Sequence, residues 1–362
     1  MRINSSTEKA FLEKIFQTEK FSKKNSSLLA DTLVDADLRG ISSHGIQRLK
    51  WYSSMVKNHT ILPKNKVKIL KETPTSLLVD ANRNMGQLAS IFTMKQLIKK
   101  TKKIGVSIAV IRNSNHFGTA GYYSRMASKK GLIGISTTNT RPLVVPPNAR
   151  KTFLGSNAFA FTFPAKPHPF VFDGATSVVS SGKIKFLQKS KKKIPGTWAI
   201  NGDREVINNS KIAGDILSKA AFSHGKEGGG VLTLGGNSET NSNYKGMGNS
   251  LVIEILTGIL AQGSISADTN KGKYDFSQFF MTIDPSLFGN LTVLEKNVSK
   301  MFKRIRNLDH LPGTHIMVPG DREYKNYYKN LKQGVLVDQQ TVKEVKKICQ
   351  DLKVDLPNEF LK

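Results

Sequence analysis

The chain has 362 residues, 38% of them apolar and 23% charged, which excludes collagen-like and wholly disordered chains. Its 55 lysines and arginines against 27 acids give a formal charge of +28, so a nucleic-acid or anionic-surface role has to be weighed. A single cysteine, Cys349, excludes an intrachain disulfide framework and points to a reducing, cytoplasmic setting, and no apolar run approaches the ~20 residues of a membrane span.

The first forty residues read as two helices. Ser5 and Glu8 have the spacing of a capping box, and Phe11, Leu12, Ile15 and Phe16 make one apolar face. The second helix begins near Asn25 and stops at Gly40. From Thr75 the period changes. Ser76–Asp80 reads as a short strand, Met85–Lys100 as a helix, and Gly105–Ile111 as a strand buried on both faces. A helix over Thr119–Lys130 and a strand over Leu132–Thr137 follow. Alternating strands and helices predict crossover connections and a parallel sheet.

Residues 142–200 read as short strands and loops, and Gly228–Gly230 with the polar stretch 235–243 as a long loop. Leu251–Leu260 form a strongly apolar helix, expected to pack in the core, and Thr341 with Glu344 suggests a second capping box. Lysine runs at 99–103, 189–193 and 343–347 are far apart and lack interleaved aromatics for stacking bases. A basic nucleic-acid-binding protein is therefore the non-enzymatic alternative, and no nucleic-acid or membrane partner is expected.

Three places hold candidate chemistry. Asn113–Gly118 lies where a buried strand gives way to a helix, the end of an α/β sheet at which ligands bind, so His116 is a candidate proton acceptor. His44 and Arg48 are four apart, and on one helical face they would suit a small carboxylate. Lys245 and Gly246 precede the apolar helix, a place suited to a phosphate. No Gly-x-Gly-x-x-Gly follows the first strand, where Asp80-Ala81-Asn82-Arg83-Asn84 stands instead. No zinc motif and no nucleophile elbow is present, and no metal is expected.

Two long motifs, Ala36–Leu49 (ADLRGISSHGIQRL) and Ser114–Tyr123 (SNHFGTAGYY), resemble the type-2 malate/L-lactate dehydrogenase family. Shorter matches at Gly134–Ser136, Asp173–Ser177, Gly182–Ile184, Ile194-Pro195 and Lys245–Gly248 run in the family's order. The resemblance implies an α/β, non-Rossmann NAD(P)-binding fold. A central mixed or parallel sheet domain (75–299) would sit against a helical lobe, formed by the N-terminal (1–74) and C-terminal (300–362) segments. It implies His116 and His44 as catalytic residues, and Ser43, Arg48, Tyr52 and Thr140 as substrate-binding residues. Ala120, Arg141, Asp173, Gly174, Ala175, Thr176, Lys245 and Gly246 would hold the cofactor. Arg141 would suit the extra phosphate of NADP, so NAD or NADP is expected. The substrate would be a small 2-hydroxy or 2-keto acid of the malate, lactate, ureidoglycolate or sulfolactate type, and the assembly a homodimer. An NADPH-dependent reductase of a cyclic imine acid or diketo acid is the alternative on the same fold. Gly155-Ser156-Asn157-Ala158 stands where the family has Gly-Thr-Asn-Pro, and residues 203–243 lack its Pro-Thr-x-Asp-Pro stretch.

Overall fold

The computed structural model describes residues 1–189, 191–194, 198–223, 228–269 and 275–360. Ser190 of the second lysine run and Pro195 of the Ile194-Pro195 motif lie outside the described residues. The chain opens with strand β1 (Arg2–Ile3) and helices α1 (Ser5–Thr18), α2 (Lys23–Leu38) and α3 (Leu49–Lys57). Then come β2 (Lys68–Glu72), β3 (Ser76–Asp80), α4 (Gly86–Ile104), β4 (Val106–Ser114), α5 (Ala120–Ser128) and β5 (Ile133–Thr138). The middle of the chain holds β6 (Val144–Val145), β7 (Ala158–Phe163), β8 (Phe170–Ala175), α6 (Ser181–Lys189), β9 (Ala199–Asn201), α7 (Ser210–Ser223) and β10 (Gly229–Leu232). The last elements are α8 (Asn243–Glu254), β11 (Phe276–Ile283), α9 (Leu291–Arg306), α10 (Asp321–Gln333), β12 (Val335–Leu336) and α11 (Gln339–Leu352).

Seven strands form one mixed sheet in the order β2-β3-β4-β11-β5-β7-β8. The expected crossover holds for β3 and β4, which pair in parallel across α4. The second expected parallel neighbour is displaced, because β11 inserts between β4 and β5 and runs antiparallel to both. Phe279 and Phe280 of β11 lie opposite Val110 and Ala109 on one side and Thr137 and Ser136 on the other. A strand arriving from so far along the chain leaves no local periodicity by which to place it.

Helices α1, α2, α3 and α11 share an apolar core that includes Phe16, Leu33, Tyr52, Ile348 and Phe360, while the sheet and helices α4 and α5 enclose a second. Cys349 packs in the first of these. Both expected capping boxes are replaced. Asn4 caps α1 by accepting the Ser6 amide, and Asp338 caps α11 by accepting that of Thr341. Shorter Asn and Asp side chains one or more positions upstream reach these amides, which leaves Glu8 and Glu344 for other partners. The expected loop at Gly228–Gly230 is largely strand: β10 pairs with β6 and β9. A Cβ at Gly230 would stand 2.5 Å from Thr152 and 2.9 Å from the Leu143 carbonyl, so the glycines serve close strand packing. The apolar helix departs further from expectation. Val252, Ile255 and Ile259 are 54–58% exposed along α8 and the π turn that continues it, so this stripe faces outward rather than into the core. Among the described residues no helix is long and apolar enough to cross a membrane.

Candidate active site

His116 sits just beyond the end of β4, in the turn that feeds α5. Its backbone is clamped from several sides. The Gln278 side chain of β11 donates to the Asn115 carbonyl at 3.2 Å, and the Asn115 side-chain Nδ2 donates to the Asn84 carbonyl at 3.0 Å. A Cβ on Gly86, the first residue of α4, would fall 2.1 Å from the Asn115 carbonyl and 2.7 Å from that of His116. Only glycine lets the helix start this close to the turn. The His116 ring is half-buried. Its Nδ1 lies 2.7 Å from the Tyr52 hydroxyl and 3.3 Å from the Gly118 amide nitrogen. Gly118 has φ +80, which turns that amide back toward the ring.

The second histidine arrives from the helical lobe. The expected single helical turn is instead two 3-10 turns, Ser42–His44 and Ile46–Arg48, broken at Gly45. His44 and Arg48 therefore meet by loop geometry, with the Arg48 Nε donating to the Ser43 carbonyl at 2.5 Å and the Ser43 hydroxyl 2.9 Å from His44 Nδ1. The two imidazoles stack with centroids 5.5 Å apart, and Trp51 meets His116 edge-on at 5.2 Å. The guanidinium carbons of Arg48 and Arg141 each lie 5.4 Å from the centroid of the Trp51 ring. These two arginines, Ser43 and Trp51 line a cleft of about 380 Å³, together with Gly182 and Lys185.

This packing sets the charge state of both rings. Burial, then the neighbouring Arg48, lowers His44 to about 3. The same causes, in the same order, push His116 well below its ordinary value, with smaller contributions from His44 and Arg141. Both rings are neutral near pH 7. A neutral imidazole can take a proton, and an adjacent carboxylate would make that easier by cancelling the arginines' field. Tyr52 is fully buried, with its hydroxyl spent on His116, so it supports that ring from behind.

The other expected residues form a separate group around the β5–β7–β8 end of the sheet. Thr140 accepts the Ser156 amide at 2.9 Å and donates its own amide to Asn157. Thr176 is buried, its amide on the Ser156 carbonyl at 3.0 Å, directly after Gly174 and Ala175 of β8. The Asp173 carboxylate accepts the Gly121 amide at 2.8 Å, beside the buried Ala120 at the start of α5. Lys245 is exposed on the first turn of α8 and Gly246 is buried against Leu234. No side chain caps that helix, which leaves its N-terminus suited to an anion. Among the described residues no three His, Cys, Asp or Glu side chains gather as a metal site.

Sequence reasoning passed over Trp51, Gly86 and Glu254, and named Asn157 only within the Gly155–Ala158 stretch. Asn157 is buried and donates to Glu254 at 2.7 Å, while Glu254 accepts the Ser266 amide at 2.9 Å. That bridge ties β7 to α8. The sequence signals were Trp51 standing three residues after Arg48 and Asn157 in the Gly155–Ala158 stretch, since Gly86 and Glu254 depend on contacts remote in the chain.

The family model for malate/L-lactate dehydrogenase matches residues 3–346. The malate dehydrogenase of Pyrococcus horikoshii is 35% identical, over 96% of this chain and 94% of its own. The malate/(S)-sulfolactate dehydrogenase of Methanothermus fervidus is 34% identical, over 98% and 99%. The crystal structure of malate dehydrogenase from Entamoeba histolytica superposes with a TM-score of 0.93 at 32% identity, over 99% of both chains. A family-model match over residues 3–346, with relatives above 30% identity along nearly the whole chain, decides the assignment: the chain belongs to the malate/L-lactate dehydrogenase family.

Proposed function

We propose that the protein moves a hydride between the C2 carbon of a small 2-hydroxy or 2-keto acid and NAD or NADP, and does so in the cytoplasm. The observation that carries this reading is the meeting of His116, His44 and Arg48 around Trp51 at the edge of an arginine-lined cleft. With its Nε held by Ser43, Arg48 keeps two Nη groups for a bidentate grip on the substrate carboxylate. His44, fixed by Ser43, offers a second polar contact on the same side. His116 accepts the C2 hydroxyl proton in oxidation and returns it to the carbonyl oxygen in reduction. For Nε2 to take that proton, Nδ1 carries a hydrogen and donates it to the Tyr52 hydroxyl, 2.7 Å away, in both forms of the ring. When bound, the nicotinamide dinucleotide supplies the hydride acceptor or donor. The uncapped start of α8 and exposed Lys245 fit its phosphates, and Ala120, Asp173–Thr176 and Thr140 lie on the loops that would flank it.

The test is turnover of malate, lactate, ureidoglycolate and sulfolactate, and of their keto acids, with each dinucleotide, followed by nicotinamide absorbance. Activity with a dicarboxylic or sulfonated acid is the expected result. Turnover of a cyclic imine acid alone, with NADPH, would replace this reading by the reductase alternative, and no turnover of any of them would overturn both.

The same reading includes a homodimer. The exposed stripe Leu251, Val252, Ile255 and Ile259 is the kind of contiguous apolar surface that a partner covers. Sedimentation is expected to give a dimer, and Ile255→Glu combined with Ile259→Glu is expected to give a monomer. A wild-type monomer at micromolar concentration would refute the shared interface.

A further inference from the structure

The loop that carries Ser43, His44 and Arg48 has no regular pairing of its own to fix it, yet its midpoint rests on a buried charge. Asp37, near the end of α2 and 5% exposed, accepts the Ile46 amide at 2.6 Å. Gly45 lies against the same carboxyl so closely that a Cβ there would stand 1.9–2.1 Å from its atoms. Glu8 of α1, 0% exposed, shares a side-chain hydrogen bond with Asp37, and among the described residues neither of its oxygens has another partner. Two buried carboxylates in contact, with no cation beside them among the described residues, cannot both ionise. One proton between them satisfies Glu8 and leaves Asp37 two donors, the Glu8 hydroxyl and the Ile46 amide.

We propose that Glu8 and Asp37 form a one-proton carboxyl pair that positions the Ser43–Arg48 loop, with Asp37 as the positioning residue for the carboxylate clamp. The direction of their titration agrees. Burial, then Asp37, raises Glu8 well above the usual carboxylate range, and burial raises Asp37 to about 7 against the opposing pull of the Glu8 and Ile46 hydrogen bonds. Among the described residues the only titratable neighbour acting on either group is the other. Asp37 thus acts on the amide that opens the second 3-10 turn, and that turn delivers Arg48. A charge-assisted bond to a backbone amide is among the stronger anchors available to a loop, which suits a loop that must hold a histidine and a guanidinium in register.

The proposal rests on the dehydrogenase reading only in its kinetic arm. The experiment compares Asp37→Ala, Asp37→Asn and Glu8→Gln in the full chain, by amide hydrogen exchange of residues 41–48 and by KM and kcat for the keto acid. Loss of a bond to a charged group should speed exchange of the segment roughly 10- to 100-fold in Asp37→Ala. KM should rise more than kcat falls. Asp37→Asn, which keeps an acceptor without the charge, should fall between wild type and Asp37→Ala and serves if Asp37→Ala does not fold. Glu8→Gln keeps a donor toward Asp37 and should hold both readouts within about 3-fold of wild type. Unchanged exchange in both Asp37 variants overturns the positioning role, as does faster exchange with unaltered KM. A Glu8→Gln variant as loose as Asp37→Ala overturns the shared proton. Wild-type inactivity on every hydroxy and keto acid would count against the dehydrogenase reading alone, because the exchange measurement still decides the loop anchor.

Discussion

His116→Ala is expected to lower kcat about 10²–10⁴-fold with a much smaller change in KM, the range for removing a general acid–base group that acts in the transition state. The structure adds two qualifications to that number. Tyr52→Phe should give a smaller loss of about 10-fold, because the ring remains and only the hydroxyl that holds its Nδ1 is removed. His44→Ala should raise KM more than it lowers kcat, since His44 is tied to Ser43 and stacks on His116. If His116→Ala keeps the wild-type rate and pH profile while His44→Ala loses both, the two roles are reversed.

Arg48→Ala is the second large effect, and it should appear in kcat/KM and in the pH profile together. Truncating one partner of a buried charged hydrogen bond costs ~2–5 kcal/mol, so kcat/KM should fall by roughly 30- to several-thousand-fold. KM should bear at least as much of this as kcat, because the substrate carboxylate is held in both the ground and transition states. Arg48→Lys should recover little. An ammonium cannot hold the Ser43 carbonyl and grip a carboxylate in two places at once. The pH effect has a definite sign. Burial and then Arg48 depress His44 and His116, so both bases remain neutral and competent to well below pH 6.5. Removing Arg48 takes away the repulsion but not the burial. The histidine pKa values then rise, and the acid limb of hydroxy-acid oxidation moves to higher pH. An acid limb that stays in place would show that Arg48 does not act on these rings.

Local pattern determined much of this protein. The helices α1, α2, α4 and α5 and the strands β3 to β5 were legible because each carries its own periodicity, and Gly40 and Gly131, both at positive φ, mark helix ends that chemistry alone predicts. His116 was legible for the same reason, as a titratable residue at the end of a buried strand, and the long motif around His44 and Arg48 marked its loop. Three things were settled only by the tertiary structure. The sheet is mixed because β11 returns to separate β4 from β5, a pairing whose energy comes from residues more than 130 positions away. Two histidines 72 positions apart become stacked neighbours, and Tyr52 comes to hold its hydroxyl 2.7 Å from one of them. The apolar stripe near Ile255 faces outward, although an apolar helix reads the same in sequence whether its partner is its own core or another chain. Period and composition report what a segment must bury; only packing decides against what, and long-range packing also sets the charge on Glu8, Asp37, His44 and His116.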